Sequence, residues 1–320
     1  MDKRRDYYLG LDLGGTSLRV CLARGLKEPL SSVKIKTEAE GGLEHVLDRI
    51  QMGIDLLLKR RGVSLAEVRA LGLGAPGEVD FQAGMVCHAP NLGWVDIPLQ
   101  GLLEERLGLS VKIDNDANVA AWGEYTLGAG RGMENLLYLS VGTGIGGGII
   151  INGSLYRGAS GGAGEFGHLI LKEDGPRCGC GNRGCLEAMA AGPALVKGAR
   201  LVALEEETLM EELAGSVEKI EGEVVTQAAR KGDRRAQELF SELGYRLGTA
   251  LISLTNIFNP EGVVIGGGVS EAGEYLLSPV RERIRGAASM RSAGEVAIKE
   301  AELGQEAGLK GALSLAINHE

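Results

Sequence analysis

The sequence predicts an α/β protein of two similar lobes, and three observations carry that expectation. The chain has 320 residues, more than the roughly 250–300 at which a single apolar core stops growing and splits. Strand-like apolar runs alternate with amphipathic, helix-like ones along most of its length. A strand, a Gly-Thr turn and a second strand also occur twice, as a repeat of pattern rather than of close identity.

Taken in order, Tyr7 to Leu11 is a short apolar strand. The turn Asp12-Leu13-Gly14-Gly15-Thr16 leads from it into a second apolar run, Leu18 to Ala23, completing a hairpin. Apolar residues at helical spacing follow from Gly42 to Lys59, then a buried-strand run at Ala70 to Leu73 and another strand at Val111 to Ile113. Near Asn115 the pattern turns helical, Ala117 to Gly128. The strand pair Asn135 to Val141 and Gly146 to Ile151 is joined through Gly142-Thr143-Gly144. Leu195 to Leu247, rich in helix formers and charge, is expected to be mostly helical and exposed. Val263 to Val269 is a strand ending in Gly266-Gly267-Gly268, and Gln305 to Ile317 is a closing amphipathic helix. The lobes are placed at residues 1–117, completed by the closing helix in 303–320, and at 118–302.

Composition excludes several functions. Lys and Arg number 34 against 43 Asp and Glu, a net charge of -9. There is no basic run with interleaved aromatics to grip a phosphate backbone, so nucleic acid is not an expected partner. Apolar stretches such as Leu136 to Val141 fall far short of the roughly 20 residues that cross a bilayer, so no membrane partner is expected. Met1 to Tyr8 is charged and runs straight into a strand without a signal-type apolar region, so a cytoplasmic location is expected.

Each motif has a plain alternative. Asp12-x-Gly14-Gly15-Thr16 sets a carboxylate at a strand end before a turn whose N–H groups can face a phosphate. A simple hairpin turn would look the same, but Gly142-Thr143-Gly144 repeats the device in the other half. Gly72-x-Gly74-x-x-Gly77 and Gly142-x-Gly144-x-x-Gly147 spell the dinucleotide fingerprint. That fingerprint needs a helix to begin among its glycines, whereas Pro76 and Glu78 to Phe81 read as turn then strand, and Ile149 to Ile151 is a strand. In Asp114-Asn115-Asp116, Asn115 or Asp116 is suited to cap the helix that follows. A carboxylate at such a strand end can also accept the proton of an attacking hydroxyl.

Of five cysteines, Cys178, Cys180 and Cys185 crowd into eight residues around Gly179-Cys180-Gly181. With His168 they make a zinc-type set of ligands, in a loop too irregular to bury three thiols as core. Buried free thiols are the alternative. Cys21 and Cys87 read as core or near-core thiols, and His45, His88 and His319 as surface residues. Glu165 and Glu187 flank the loop, where a bound metal would hold both carboxylates as fixed acceptors for hydroxyl groups.

Seven stretches carry a family resemblance over nearly the whole chain. They are residues 9–16 with Asp12-Leu13-Gly14-Gly15-Thr16, Gly74-Ala75-Pro76-Gly77, Pro90-Asn91-Leu92-Gly93-Trp94, Asp114-Asn115-Asp116-Ala117-Asn118, residues 142–148, Gly164-Glu165-Phe166-Gly167-His168, and residues 178–187, Cys-Gly-Cys-Gly-Asn-Arg-Gly-Cys-Leu-Glu. In these the chain resembles the ROK family of sugar kinases and sugar-sensing repressors. The resemblance implies a two-lobed actin-like (hexokinase-type, ribonuclease H-like) ATPase fold with an interlobe cleft. The implied activity is ATP-dependent phosphorylation of a hexose, glucose to glucose 6-phosphate, with an N-acetylated hexosamine (N-acetylmannosamine or N-acetylglucosamine) as the alternative substrate.

By position, the resemblance implies Asp116 as base and sugar contact. Asn91, Asn115, Glu165, His168 and Glu187 are further sugar contacts, and His168, Cys178, Cys180 and Cys185 are structural zinc ligands. The turns holding Gly14, Gly15, Thr16, Thr143 and Gly144 would bind ATP phosphates, Asp12 would position Mg²⁺, and Gly266 and Gly267 would lie against the adenosine. Asp114 only supports the loop. Many members carry Lys directly after the first Gly-Gly-Thr where this chain has Ser17, with Arg19 two further on, so the resemblance does not by itself imply a direct Lys contact to phosphate. Only eight residues precede Leu9, too few for the repressors' helix-turn-helix. A non-catalytic sensor would need neither Asp116 nor two phosphate turns. A homodimer or homotetramer is implied.

Overall fold

In the computed structural model, which describes residues 6–26, 30–287 and 295–317, the first turn motif forms the expected hairpin. Strand β1 (Tyr7–Leu13) runs antiparallel to β2 (Ser17–Ala23), with Asp12 opposite Arg19. β2 also pairs antiparallel with β3 (Ser31–Lys36), while β1 lies parallel to β4 (Val68–Ala75) and β4 parallel to β8 (Ser110–Asn115). The resulting order is β3-β2-β1-β4-β8. A short sheet of β5 (Glu78–Asp80), β6 (Met85–Ala89) and β7 (Trp94–Ile97) is inserted between β4 and β8 in sequence.

The second half repeats the plan. Strands β9 (Leu136–Val141), β10 (Ile145–Ile151), β11 (Ser154–Leu155), β12 (Gly262–Gly266) and β13 (Ala297–Glu300) stand in the order β11-β10-β9-β12-β13, with β12 parallel to both β9 and β13. The repeat read from the two Gly-Thr turns is therefore topological.

The chain divides into two compact units: the described residues up to 132 with 148–164 and those from 305 onward, and residues 133–147 with 165–304. In the first unit, alternation along β1 sorts its side chains. Leu9, Leu11 and Leu13 join a core that includes Ile50, Ile54 and Leu57 of α1 (Gly42–Arg61) and Leu99 and Leu103 of α2 (Leu99–Leu107). The opposite face carries Cys21 and Ala23 of β2 against Leu309 and Leu313 of α10 (Ala307–Ile317).

That helix lies close enough to exclude side chains beneath it. A Cβ at Gly10 would stand 2.8 Å from the Leu309 carbonyl oxygen, and one at Gly72 only 1.9 Å from that of Ala312. The same helix carries Gly311 against α3 (Asp116–Leu127), where a Cβ would come 1.8 Å from the Val119 carbonyl. Gly72, a term of the false fingerprint, is thus a helix-packing position. Gly72→Ala is expected to cost about 3 kcal/mol or more by overpacking against backbone. Gly101→Ala, in α2 with nothing within 4 Å of its Cβ, is expected to gain about 0.5–1 kcal/mol. Urea midpoints of the two variants check the contrast, which disappears if α10 does not sit on β4.

In the second unit, α4 (Leu186–Ala190), α5 (Gly192–Glu205), α6 (Leu209–Ala214), α7 (Gly222–Arg230), α8 (Arg234–Phe258) and α9 (Glu274–Ala287) follow one another, broken only by β12. The segment from 195 to 247 is helical, as expected, but it is not exposed. Ala236, Phe240, Leu243, Leu247, Leu251 and Leu254 form a buried stripe along α8, and the charge that suggested exposure occupies its other face.

Among the remaining side chains, Cys21 is buried, Cys87 half-buried and His88 exposed. His45 bonds Glu38 at 2.9 Å, and His319 lies outside the described residues.

Candidate active site

The first phosphate-type turn is braced from behind. Gly14 N–H donates to the Ser17 carbonyl (3.0 Å), Thr37 Oγ donates to the Gly14 carbonyl (2.6 Å), and Thr37 N–H donates to the Thr16 carbonyl (3.0 Å). Thr37 itself is fully buried. Gly15 packs on Asn91, whose Cβ and carbonyl oxygen would each lie 3.0 Å from an added Cβ. The turn and one expected sugar contact are therefore neighbours. Arg19, two positions after Ser17, pairs with Glu306 and donates to the Gln305 carbonyl (2.6 Å). Burial raises the Asp12 carboxyl from its ordinary value, with Arg19 and Lys34 pulling part of the way back.

One register row crosses the sheet from Asp12 through Gly74 to Asp114. At about 4.8 Å per strand, the phosphate turn and the end of β8 stand roughly 10 Å apart on the same carboxyl edge, where ligands of parallel α/β sheets bind.

The junction of β8 with α3 resolves the capping alternative. Asn115 is the N-cap: its Oδ1 accepts from Ala117 N–H (2.9 Å) and Asn118 N–H (3.1 Å), and its Nδ2 donates to the Gly77 carbonyl (2.8 Å). One side-chain N–H of Asn115 remains for a hydroxyl. Asp116 occupies the first helical position with an exposed side chain, accepting from Ala117 N–H (2.8 Å).

Asp114 faces inward, at 1% exposure. Its carboxylate receives Arg157 Nε and Nη2, both at 2.7 Å, Asn118 Nδ2 at 3.0 Å and Asn115 N–H at 2.8 Å. Arg157 is the site residue that nothing in the sequence announces, since it lies 43 positions from its partner in a glycine-rich loop.

In the second unit, one ring nitrogen of His168 and the sulfurs of Cys178, Cys180 and Cys185 all lie within 4.8 Å of one another. The Cys180–Cys185 sulfur separation and the Cys178 Sγ to His168 Nδ1 separation are both 3.7 Å. A zinc–sulfur bond of about 2.3 Å gives a tetrahedron with edges of about 3.8 Å, so the four residues fit that ion and close its coordination shell. Burial, reinforced by the neighbouring thiols, pushes the Cys185 thiol up to about 12, and burial raises Cys178 as well. Cys180 is lowered by the hydrogen bond from the Asn182 backbone. A set of this kind becomes thiolate only with a cation among the sulfurs.

Around this centre, His168 Nε2 lies 3.9 Å from Glu165 Oε2. Glu187, in the first turn of α4, accepts from Ile145 N–H at 3.0 Å through Oε2, while Oε1 lies 3.8 Å from Cys178 Sγ. A Cβ at Gly144 would stand 2.5 Å from that same Oε2. The Gly142-Thr143-Gly144 turn is closed by Gly142 N–H to the Gly144 carbonyl (2.9 Å) and tied to α5 by Gly192 N–H to the Gly142 carbonyl (2.7 Å). Thr143 is exposed on it. The second turn, Glu187 and the metal loop are thus one bonded assembly. Gly266 and Gly267 pack on β9: Gly267 has φ of 84° and a Cβ there would lie 2.4 Å from the Val141 carbonyl.

The sequence-derived residues therefore fall into two groups. Asp12, Gly14, Gly15, Thr16, Asn91, Asn115 and Asp116 belong to the first unit; Thr143, Gly144, Glu165, His168, the three cysteines, Glu187, Gly266 and Gly267 belong to the second.

Known proteins share this architecture. A ROK family glucokinase from Streptomyces griseus, solved with glucose and AMPPNP, matches with a TM-score of 0.86 and 39% identity, covering 98% of this chain and 99% of that one. The glucokinase of Halalkalibacterium halodurans is 38% identical over 311 residues, 95% of this chain and 93% of that protein. The xylose repressor of Caldicellulosiruptor bescii is 32% identical over 317 residues, 97% of this chain and 78% of the repressor. With the ROK family model matching residues 8–319, the chain belongs to the ROK family, and its fold is the mixed α/β, actin-like one that the sequence led us to expect.

Proposed function

We propose that this protein is an ATP-dependent hexokinase that transfers the γ-phosphoryl group of ATP to the 6-hydroxyl of glucose, giving glucose 6-phosphate. The observation that carries the reading is the junction of β8 and α3. Asn115 takes the capping role and leaves Asp116 exposed, on the sheet edge that also holds the Gly14-Gly15-Thr16 turn, against which Asn91 packs. Similarity to glucokinases at 38–39% identity over at least 95% of the chain supports the choice of reaction and of glucose.

In this reading Asp116 accepts the proton of the attacking hydroxyl as the oxygen bonds to phosphorus. Asn91, the free N–H of Asn115, Glu165, His168 Nε2 and Glu187 hold the other hydroxyls. Backbone N–H groups of the turns at 14–16 and 143–144 bind the phosphates, and Gly266 and Gly267 border the adenosine. Bound Mg²⁺, positioned by Asp12, would neutralise charge on the transferring group. Its presence would also offset the cost of burying the Asp12 carboxylate. Zinc would be held by His168, Cys178, Cys180 and Cys185, and those residues would then fix the orientation of the His168 ring and of Glu187.

Among the described residues no helix is long and apolar enough to cross a membrane. We propose a cytoplasmic homodimer or homotetramer. Sedimentation of the 33.6 kDa chain separates these from a monomer.

A panel of hexoses and N-acetylhexosamines in a coupled ADP assay tests the substrate. Glucose is expected to show the highest kcat/KM, by about tenfold or more over N-acetylmannosamine and N-acetylglucosamine, because a site built on hydroxyl contacts discriminates strongly against a misfitting group. Preference for either hexosamine overturns the choice of glucose and leaves the kinase reading in place.

A further inference from the structure

Asp114 is a carboxylate taken almost completely out of water, and a buried charge persists only where donors and an opposite charge compensate it. Two of its four bonds come from donors within four residues, Asn115 N–H and Asn118 Nδ2, and the other two from the far-off guanidinium of Arg157. Arg157 supplies the opposite charge. It is held on three sides: by Asp114 Oδ2, by the Phe81 ring 3.9 Å below its central carbon, and by the Leu155 carbonyl at 3.5 Å. Its segment has a second anchor at Gly161, whose φ is 89° and whose Cβ, were there one, would lie 2.3 Å from the Val79 carbonyl.

These contacts join three pieces of the first unit that are remote in sequence: the end of β8, the turn after β5 and the loop leaving β11. The first piece carries Asn115 and Asp116. The last runs, eight residues after Arg157, into Glu165. A displacement of the guanidinium would therefore reach the strand end that carries Asn115 and Asp116.

We propose that Arg157 is a positioning residue for phosphoryl transfer: through Asp114 it fixes the strand end that presents Asp116, and it touches neither sugar nor nucleotide. The proposal rests on Asp116 being the base. Arg157→Met keeps the apolar stem and removes the charge. Its expected effect is a fall in kcat of about 10²-fold, the size typical of a small misplacement of reacting groups, with the KM for ATP changed by no more than about twofold. Arg157→Lys restores one charged donor and is expected to recover at least about tenfold of the loss. Because Asp114 is the route, Arg157→Met combined with Asp114→Asn is expected to be no slower than the worse single variant.

Kinetics on the full-length, zinc-loaded protein at two temperatures below its melting point, with the folded fraction measured by circular dichroism, decide the matter. A purely structural role predicts that activity per folded molecule stays at the wild-type value and that lysine and methionine behave alike. Either result, or multiplicative effects in the double variant, overturns the proposal. Asp116→Asn is measured alongside. An inactive Asp116→Asn with a fully active Arg157→Met sinks the positioning role alone, whereas a fully active Asp116→Asn removes the base assignment on which it rests.

Discussion

Asp116→Asn is expected to lower kcat by about 10²–10⁴-fold, the usual contribution of a positioned general base, with a smaller change in sugar affinity. Asparagine keeps the shape and can still hydrogen-bond a hydroxyl, but it cannot take the proton. The helix should tolerate the change, because its cap is Asn115 and not Asp116, so the melting temperature should move little. Asp114→Asn should behave in the opposite sense. It leaves Arg157 facing a neutral amide in a buried setting, where losing one partner of an ion pair costs about 3–5 kcal/mol, so its first symptom is lost stability, with a smaller loss of kcat than Asp116→Asn. Steady-state kinetics and thermal melts of the two variants separate a chemical residue from a supporting one. A near-normal kcat in Asp116→Asn removes it as the base.

Stripping the metal should produce the second large effect. Without a cation the sulfurs of Cys178 and Cys185 sit as buried thiols, and only a weak contact of 3.7 Å to Cys178 Sγ holds His168 Nδ1 beside them. The loop that carries His168 and leads into Glu187 then loses the cross-link that the metal supplies. Chelation is expected to raise the sugar KM by about tenfold or more and to lower the melting temperature, and zinc should restore both. Since Glu187 is bonded to Ile145 N–H beside the Gly142-Thr143-Gly144 turn proposed to bind phosphate, the KM for ATP should rise as well, by less. Metal-free protein with full activity and unchanged melting contradicts this role.

What could be read from the sequence was what is local in it. Asp114-Asn115-Asp116 and the cysteine loop are contiguous, so their chemistry shows in the order of residues. The division of labour between Asn115 and Asp116 was not legible, because either suits a cap and only backbone geometry decides. Gly72 looked like part of a nucleotide motif, since its true partner, the Ala312 carbonyl, lies at the far end of the chain. Arg157 was invisible for the same reason. Strand β3 is an edge with mostly polar residues, and β6, β7 and β13 have four or five residues each, too few for a period to emerge. Helix α9 carries Pro279 in its interior, which reads as a break.

The most direct test of the central claim is proton-coupled phosphorus NMR of the wild-type protein with Mg²⁺, ATP and glucose. A phosphate ester on the 6-carbon is split into a triplet by two methylene protons, and ADP accumulates in equal amount; that is the expected spectrum. ATP left unconsumed in the presence of glucose, or a doublet from an ester on a ring carbon, contradicts it.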